Sequence, residues 1–420
     1  MQITPIDHPL HATIRVPGSK SLTNRALLIG ALAGGTTRLT NALFSDDSCY
    51  LARALQTLGF DVQLDEAQRE MTVTGLGGII PSPKAELFIG NAGTAARFLS
   101  AFLTLGRGEY ILDGDSRMRE RPIRDLIDAL NQLGVELEAK NNCPPVEIFA
   151  RGLPGGRTKI AGNISSQFLS ALLMVAPCAK STVEIELTTA LNSKPYVDMT
   201  LSVMKEFGIE VGRRAYERFI VHPASYVPVA NYPVEPDASA ASYFFAAAAI
   251  CGGTVGVENI SRQSRQGDIA FVDILGQMGC AIQEEEDSIS VTGTNSLTGV
   301  DVDMRDIPDT AQTLAVVAPF ASSPTRIRGI ASARVKETDR VHATCTELLR
   351  LGVHVEEHED GMTIFPCQHF QPARIQTYND HRMAMAFTLI GLRVEGIIIE
   401  NPSCVSKTFP DFFDVLDTLR

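Results

Sequence analysis

The chain has 420 residues, too many for one ordinary core, and its 45% hydrophobic and 20% charged composition is that of a globular protein of two domains. A net charge of −12 argues against a general nucleic-acid binder but leaves room for a local basic pocket. Eight cysteines without a CxxC pair or zinc-finger spacing read as buried thiols in a reducing compartment, and no segment reads as a signal peptide, transit peptide or membrane span, so a cytoplasmic protein is expected.

Taken in chain order, one pattern is written six times. An apolar helix rich in small residues is predicted at 21–33, 94–106, 166–177, 239–250, 310–321 and 381–392, a spacing of roughly 70–75 residues, beyond the period of most solenoids. The second repeat shows the plan. Ala85–Ile89 alternates as a strand, Thr94–Gly106 lacks a polar face, and Tyr110–Leu112 is a short apolar strand. Ile123–Leu133 has helical spacing with Gly134 at the C-cap, and Val135–Ala139 with Pro145–Ala150 reads as a hairpin. The order is βαβαββ. Second helices ending in Leu58-Gly59, Phe207-Gly208, Met278-Gly279 and Leu351-Gly352 repeat it, each followed by a hairpin. Only the sixth repeat lacks its hairpin, because the sequence stops at Arg420; the N-terminal Met1–Ile6 is expected to supply a strand there and join the two ends.

Helices this apolar belong inside, with the sheets facing solvent, an inside-out α/β barrel. Six repeats group as three plus three, giving lobes at 1–18 with 236–420 and at 19–235; the crossings fall near Pro17-Gly18 and Val234–Pro236.

The helices are alike, but the turns leading into them differ: GSK, GNAG, GNIS, EPDA, IPDT and YNDHR. Lys20, Ser21 and Arg25 open the first helix, where free N–H groups and two cations form an anion site; a capped helix with surface bases is the bland alternative. Gly90-Asn91-Ala92-Gly93 allows close backbone approach to a ligand. Arg117, Arg119, Arg121 and Arg124 offer guanidinium forks for carboxylate or phosphate, against a solvated loop as the usual fate of a charge run. Ser165, Ser166 and Gln167, with Ser193 and Tyr196 downstream, read locally as N-caps before they read as hydroxyl binders. Asp309 opens an apolar helix, where capping explains a carboxylate well enough unless its neighbours make it a base. Arg334, Lys336, Glu337, Asp339 and Arg340, with Asn379-Asp380-His381-Arg382 and Ser406-Lys407-Thr408 beyond, interleave acids and bases as an acid–base pair beside anion clamps would. His354 and His358 are four apart but on an alternating strand, so they read as a surface hairpin rather than a metal face.

In order, PGSKSLTNRALL, GNAGTAARFL, DGDSRMRERPI, SSQFLSALLM, KPYVDMT, PDASAASYF, IPDTAQTLA, RVKETDR, NDHRMAMAF and VSKTFPDF resemble the enolpyruvyl transferases, in particular the branch that acts on shikimate 3-phosphate. The resemblance spans nearly the whole chain. It implies the two-lobed fold of that family, three βαβαββ units per lobe, with no metal and no cofactor. It implies that the 5-hydroxyl of shikimate 3-phosphate attacks C2 of phosphoenolpyruvate while C3 is protonated, and that the tetrahedral adduct then loses phosphate. By the same resemblance Lys20, Ser21, Arg25, Ser165, Ser166, Gln167, Ser193, Tyr196, Asp309, Ser332 and Lys336 hold shikimate 3-phosphate. Lys20, Gly93, Arg121, Gln167, Arg340, Arg382 and Lys407 hold phosphoenolpyruvate. Asp309 takes the hydroxyl proton, Glu337 delivers one to the methylene carbon, and Lys20 assists. The herbicide glyphosate is expected to compete with phosphoenolpyruvate, and the cleft is expected to close and shed water.

Two positions depart from the family pattern: Ser332 stands where Asn is frequent, and Phe98 follows Arg97 where Pro is common. The rival within the family is the branch acting on UDP-N-acetylglucosamine, which carries Cys or Asp in the loop matching 116–121; here Asp115 lies just before the arginine run, and the SSQ and KPY motifs favour phosphoshikimate. A non-catalytic anion binder would have lost Asp309, Glu337 or a clamp arginine, and all are present. A chain that starts with Met and ends on a helix is expected to be a free-standing enzyme rather than one module of a longer polypeptide; a monomer with two small-molecule substrates and no nucleic-acid or membrane partner is also expected.

Overall fold

A computed structural model describes residues 1–420. The chain divides into two compact units, one formed by Gly18–Val234 and the other by Met1–Pro17 with Glu235–Arg420. Each has its own apolar core.

In the unit Gly18–Val234 the inner helices are Lys20–Leu32, Gly93–Phe102 and Ser166–Val175; in the other they are Ala238–Cys251, Ala311–Val317 and His381–Gly391. Their sequences explain their place. All fourteen residues of Ala238–Cys251 are buried, and with seven alanines among them the helix has no polar side to turn outward. Three of the six tighten into a single 3-10 turn at their C-termini, at Leu103–Leu105, Ala176–Cys178 and Ala318–Phe320. In the first five repeats the second helix ends on a left-handed glycine, at Gly59, Gly134, Gly208, Gly279 and Gly352; in the sixth, Phe412–Asp417 is followed by Thr418. At Gly134, φ is +84°, a conformation that carries a Cβ penalty for any other residue.

Five of the six repeats carry a four-stranded sheet with one parallel and two antiparallel pairings. In the second, Lys84–Phe88 runs parallel to Arg107–Asp113, which pairs antiparallel with Val146–Arg151, and that in turn with Glu136–Glu138. Alternating burial, as in Lys84–Phe88, places one face of the sheet on the helices and the other in solvent.

Two features differ from the sequence reading. First, no sheet closes on itself: five four-stranded sheets and one two-stranded sheet keep their edges, so the inside-out arrangement holds without a barrel. The hairpin strand that ends each four-stranded sheet, such as Glu136–Glu138, has only one neighbour. Second, the first and fourth repeats are not contiguous. The parallel edge strand of the first is Asn231–Pro233, paired with Gly34–Thr40, and that of the fourth is Leu10–Ile14, paired with Gly253–Glu258. A strand beside each crossing thus completes the sheet of the unit the chain is leaving.

The sixth repeat has only Arg374–Ile375 parallel to Ile398–Ile399. The N-terminus extends it as the sequence suggested. Gln2 bridges Ile398, the Met1 ammonium donates to the Ile399 carbonyl at 2.7 Å, and Ile3 N–H donates to the Ile397 carbonyl at 2.9 Å. His354 and His358 lie on or beside a hairpin strand, where His358 Nε2 is 2.9 Å from Thr363 Oγ1. Four of the cysteines are buried and four only half-buried, and all eight are free thiols. No helix is long and apolar enough to cross a membrane.

Candidate active site

In the unit Gly18–Val234 the lead-in turns build one set of polar groups. Ser19 caps the first inner helix by accepting from Leu22 N–H, which starts the helix at Lys20. Lys20 then lies 3.5 Å from Asp47, a carboxylate the sequence reading had not singled out. Arg25, one turn further in, is 2% exposed. Its Nε donates to Thr200 Oγ1 at 2.7 Å, Nη1 to the Ser21 carbonyl at 2.9 Å and Nη2 to the Tyr196 carbonyl at 3.1 Å. Burial without a carboxylate partner pushes its pKa down to about 10, against the raising influence of Tyr196 and Tyr232. Arg25 thereby joins the first repeat to the helix Lys194–Glu206 of the third, whose N-cap Ser193 is left-handed at φ 57°.

Ser165 accepts from Gln167 N–H at 3.2 Å, so the plain capping role holds. Gln167 Nε2 reaches Thr94 Oγ1 at 3.3 Å, tying the third inner helix to the start of the second. The arginine run separates into two fates. Arg117, Arg119 and Arg124 make surface ion pairs with Glu120, Asp113 and Asp128, the solvated outcome. Arg121 is 5% exposed and turns inward, donating from Nη1 to the Asn91 carbonyl at 3.1 Å and to Asn91 Oδ1 at 2.9 Å. Its guanidinium fills the space over Gly93, where a Cβ would lie 2.3 Å from Nη2.

In the other unit a second set gathers around Asp309. This residue lies in the 3-10 turn Pro308–Thr310 ahead of the inner helix and is not its N-cap, so the capping account of its carboxylate is overturned. Its Oδ1 takes Lys336 Nζ at 2.6 Å and Arg340 Nη1 at 3.3 Å, and its Oδ2 takes Arg382 Nη2 at 2.7 Å. Arg340 is 3% exposed and also meets Glu337 at 2.8 Å and Asp380 at 2.7 Å. Burial works against its charge, but Asp380, Glu337 and Asp309 together outweigh that and raise its pKa. Lys336 shifts the other way. Burial, helped by Arg340, lowers its pKa further than Asp309 and Glu337 raise it. Lys407 is buried in the 3-10 turn Pro402–Lys407, and Ser332 is half-buried in the turn Ala331–Val335.

Two residues of this set had no assigned role in the sequence: Asp380, named only within the interleaved charged run, and Tyr243, which was not singled out. Asp380 is fully buried, receives Arg340 through both oxygens and caps the helix His381–Gly391 by accepting from Arg382 N–H at 2.9 Å. Tyr243 Oη lies 3.4 Å from Arg382 Nη1. The run Asn379-Asp380-His381-Arg382 had marked Asp380 as part of the interleaved charges, though not as the partner of Arg340; nothing local marked Tyr243.

Of the seventeen candidate residues, ten lie in Gly18–Val234, and Asp309, Ser332, Lys336, Glu337, Arg340, Arg382 and Lys407 lie in the other unit. No group of three or more His, Cys, Asp or Glu that could hold a metal ion is present. Both sets place guanidinium or ammonium groups around a few oxygens, an arrangement suited to polyanionic substrates and to proton transfer at Asp309.

Comparison with known proteins agrees with this chemistry. The chain is 48% identical over 413 residues to the 3-phosphoshikimate 1-carboxyvinyltransferase of Trichormus variabilis, covering 98% of this chain and 97% of that one. It is 51% identical over 411 residues to the protein of the same name from Shewanella baltica, at 97% and 96% coverage. The solved structure of EPSP synthase from Acinetobacter baumannii superposes with a TM-score of 0.83 at 25% identity, over 100% of this chain and 97% of that one. A sequence model of the family described as EPSP synthase (3-phosphoshikimate 1-carboxyvinyltransferase) matches residues 5–416, and the chain belongs to that family.

Proposed function

We infer that the two sets of residues divide one reaction, the transfer of the enolpyruvyl group of phosphoenolpyruvate to the 5-hydroxyl of shikimate 3-phosphate with release of phosphate. As a member of its family the chain is a transferase of the shikimate pathway. The division of labour is our proposal. Lys20, Ser21, Arg25, Ser165, Ser166, Gln167, Ser193 and Tyr196 hold shikimate 3-phosphate, joined by Ser332 and Lys336. Gly93, Arg121, Arg340, Arg382 and Lys407 hold phosphoenolpyruvate, with Lys20 and Gln167 touching both substrates.

The observation that carries this reading is the carboxylate of Asp309 in contact with Lys336, Arg340 and Arg382 at 2.6, 3.3 and 2.7 Å. These are the cations two polyanions require. When phosphate and carboxylate oxygens of the substrates take their N–H groups, lone pairs of Asp309 are released to accept the hydroxyl proton. Glu337, 2.8 Å from Arg340, then gives a proton to C3. The tetrahedral adduct then returns a proton from its C3 methyl to Glu337 as the C2–O bond to phosphate breaks, giving the enol ether; the proton held by Asp309 passes to the leaving phosphate, and Arg and Lys charge stabilises the departing dianion. The enzyme acts as a monomer in the cytoplasm.

Phosphate release from phosphoenolpyruvate, measured with shikimate 3-phosphate and with UDP-N-acetylglucosamine in parallel, tests the reading. Release with the first alone is expected. Release with the second alone, or with neither, overturns it.

A further inference from the structure

One buried aromatic of the unit Gly18–Val234 lies outside the substrate contacts proposed above. Phe98, on the second inner helix, is fully buried and presents its ring to Arg25, with the guanidinium carbon 5.3 Å from the ring centroid. All three nitrogens of Arg25 are engaged, by one hydroxyl and two main-chain carbonyls, and none by a carboxylate. A guanidinium buried this far must be stabilised by something, and the negative face of an aromatic ring is the remaining partner. The arrangement recurs one repeat on, where Arg97 lies 5.9 Å over the ring of Phe168 from the third inner helix. In each case an arginine of one inner helix lies on a phenylalanine of the next.

We propose that Phe98 is a positioning residue for shikimate 3-phosphate, its ring face fixing the Arg25 guanidinium while leaving the cation's net charge free for the substrate phosphate. A carboxylate in its place would hold Arg25 equally well but cancel the charge that attracts the anion. A ring stabilises the cation through its quadrupole and adds no net charge. Phe98 therefore acts through Arg25 and touches no reacting atom. The proposal rests on the assignment of Arg25 to shikimate 3-phosphate.

The test replaces Phe98 with phenylalanines bearing one, two and three fluorines, which withdraw electron density from the ring face while nearly keeping its shape. The full-length protein is titrated calorimetrically with shikimate 3-phosphate. Affinity is expected to fall stepwise with fluorine count, reaching about threefold to tenfold at three fluorines. kcat and the KM for phosphoenolpyruvate stay near wild type. Phe98→Leu, which keeps apolar bulk and removes the face, falls at the weak end of the series. A flat series, or one that tightens, overturns the proposal, since a purely structural ring would respond to bulk and not to fluorine. Failure of the unsubstituted protein to bind shikimate 3-phosphate overturns the assignment of Arg25 instead.

Discussion

Arg25 and Arg340 are the same side chain, almost equally buried at 2% and 3% exposed, one in each unit. Arg340 is surrounded by Asp380, Glu337 and Asp309, which hold it firmly charged. Arg25 has a threonine hydroxyl, two carbonyls and a phenyl face, and its pKa drops to about 10. Desolvation is the same problem in both places, solved in one by counter-charge and in the other by dipoles and a quadrupole. Each solution suits a different task. On the proposed assignment, a guanidinium set among carboxylates orients Asp309 and Glu337 as well as meeting phosphoenolpyruvate. A guanidinium held by uncharged groups keeps its full charge, which on the proposed assignment is what the phosphate of shikimate 3-phosphate meets.

The largest expected effect breaks the carboxylate side of this comparison at its reactive member. Asp309→Asn keeps the shape of the side chain and removes its basicity, so kcat falls by about a thousandfold while calorimetry still detects both substrates. A kcat within about tenfold of wild type removes Asp309 as the base. Next in size is Asp380→Asn, which removes one of these carboxylates. With Arg340 left buried beside a neutral amide, unfolding free energy drops by about 3–5 kcal/mol in a urea titration. An unchanged midpoint would show that Glu337 and Asp309 suffice to hold Arg340.

The scaffold was the part of the molecule legible in sequence, because buried inner helices must be apolar all round and left-handed helix ends must be glycine. The first leaves its mark at all six repeats, as in Ala238–Cys251, and the second at five, as at Gly134. The noncontiguous strands left no such mark: Asn231–Pro233 is three residues long, and its partner lies nearly two hundred residues earlier. At the site, cation-rich turns were legible as residue types, but it was the family resemblance, not the local charge pattern, that set Arg121 apart from its neighbours. Arg117, Arg119 and Arg124 find carboxylates within six residues, whereas Arg121 reaches back thirty residues to Asn91. The same limit hid Tyr243 beside Arg382 and the ring of Phe98 beneath Arg25, both made by helices from different repeats.

A smaller effect is expected at Gly93, where an arginine lies over bare backbone. Gly93→Ala places a Cβ 2.3 Å from Arg121 Nη2, the far end of a flexible side chain, so the guanidinium swings aside and the backbone stays. The expected outcome is a roughly tenfold rise in the KM for phosphoenolpyruvate, the cost of one charge-assisted hydrogen bond, with thermal stability nearly unchanged. A matching rise in the KM for shikimate 3-phosphate would place Arg121 on the other substrate.

The smallest effect sharpens the comparison through Lys336, a cation that has a carboxylate partner and still loses pKa. Desolvation is the largest influence and Arg340 adds to it, while Asp309 and Glu337 oppose them. Its ammonium therefore deprotonates below the ordinary lysine range as pH rises, and the charge offered to shikimate 3-phosphate disappears with it. The KM for that substrate should climb on the alkaline side before free lysines titrate. Stability moves the other way. Between the lowered folded pKa and the unfolded value the unfolded chain binds more protons, so the contribution of this group to folding rises with pH across that window. Lys336→Arg keeps the charge throughout, and its pH profile should lose the alkaline rise in KM while kcat near neutrality changes little. An alkaline limb that survives the substitution assigns the titration to another group.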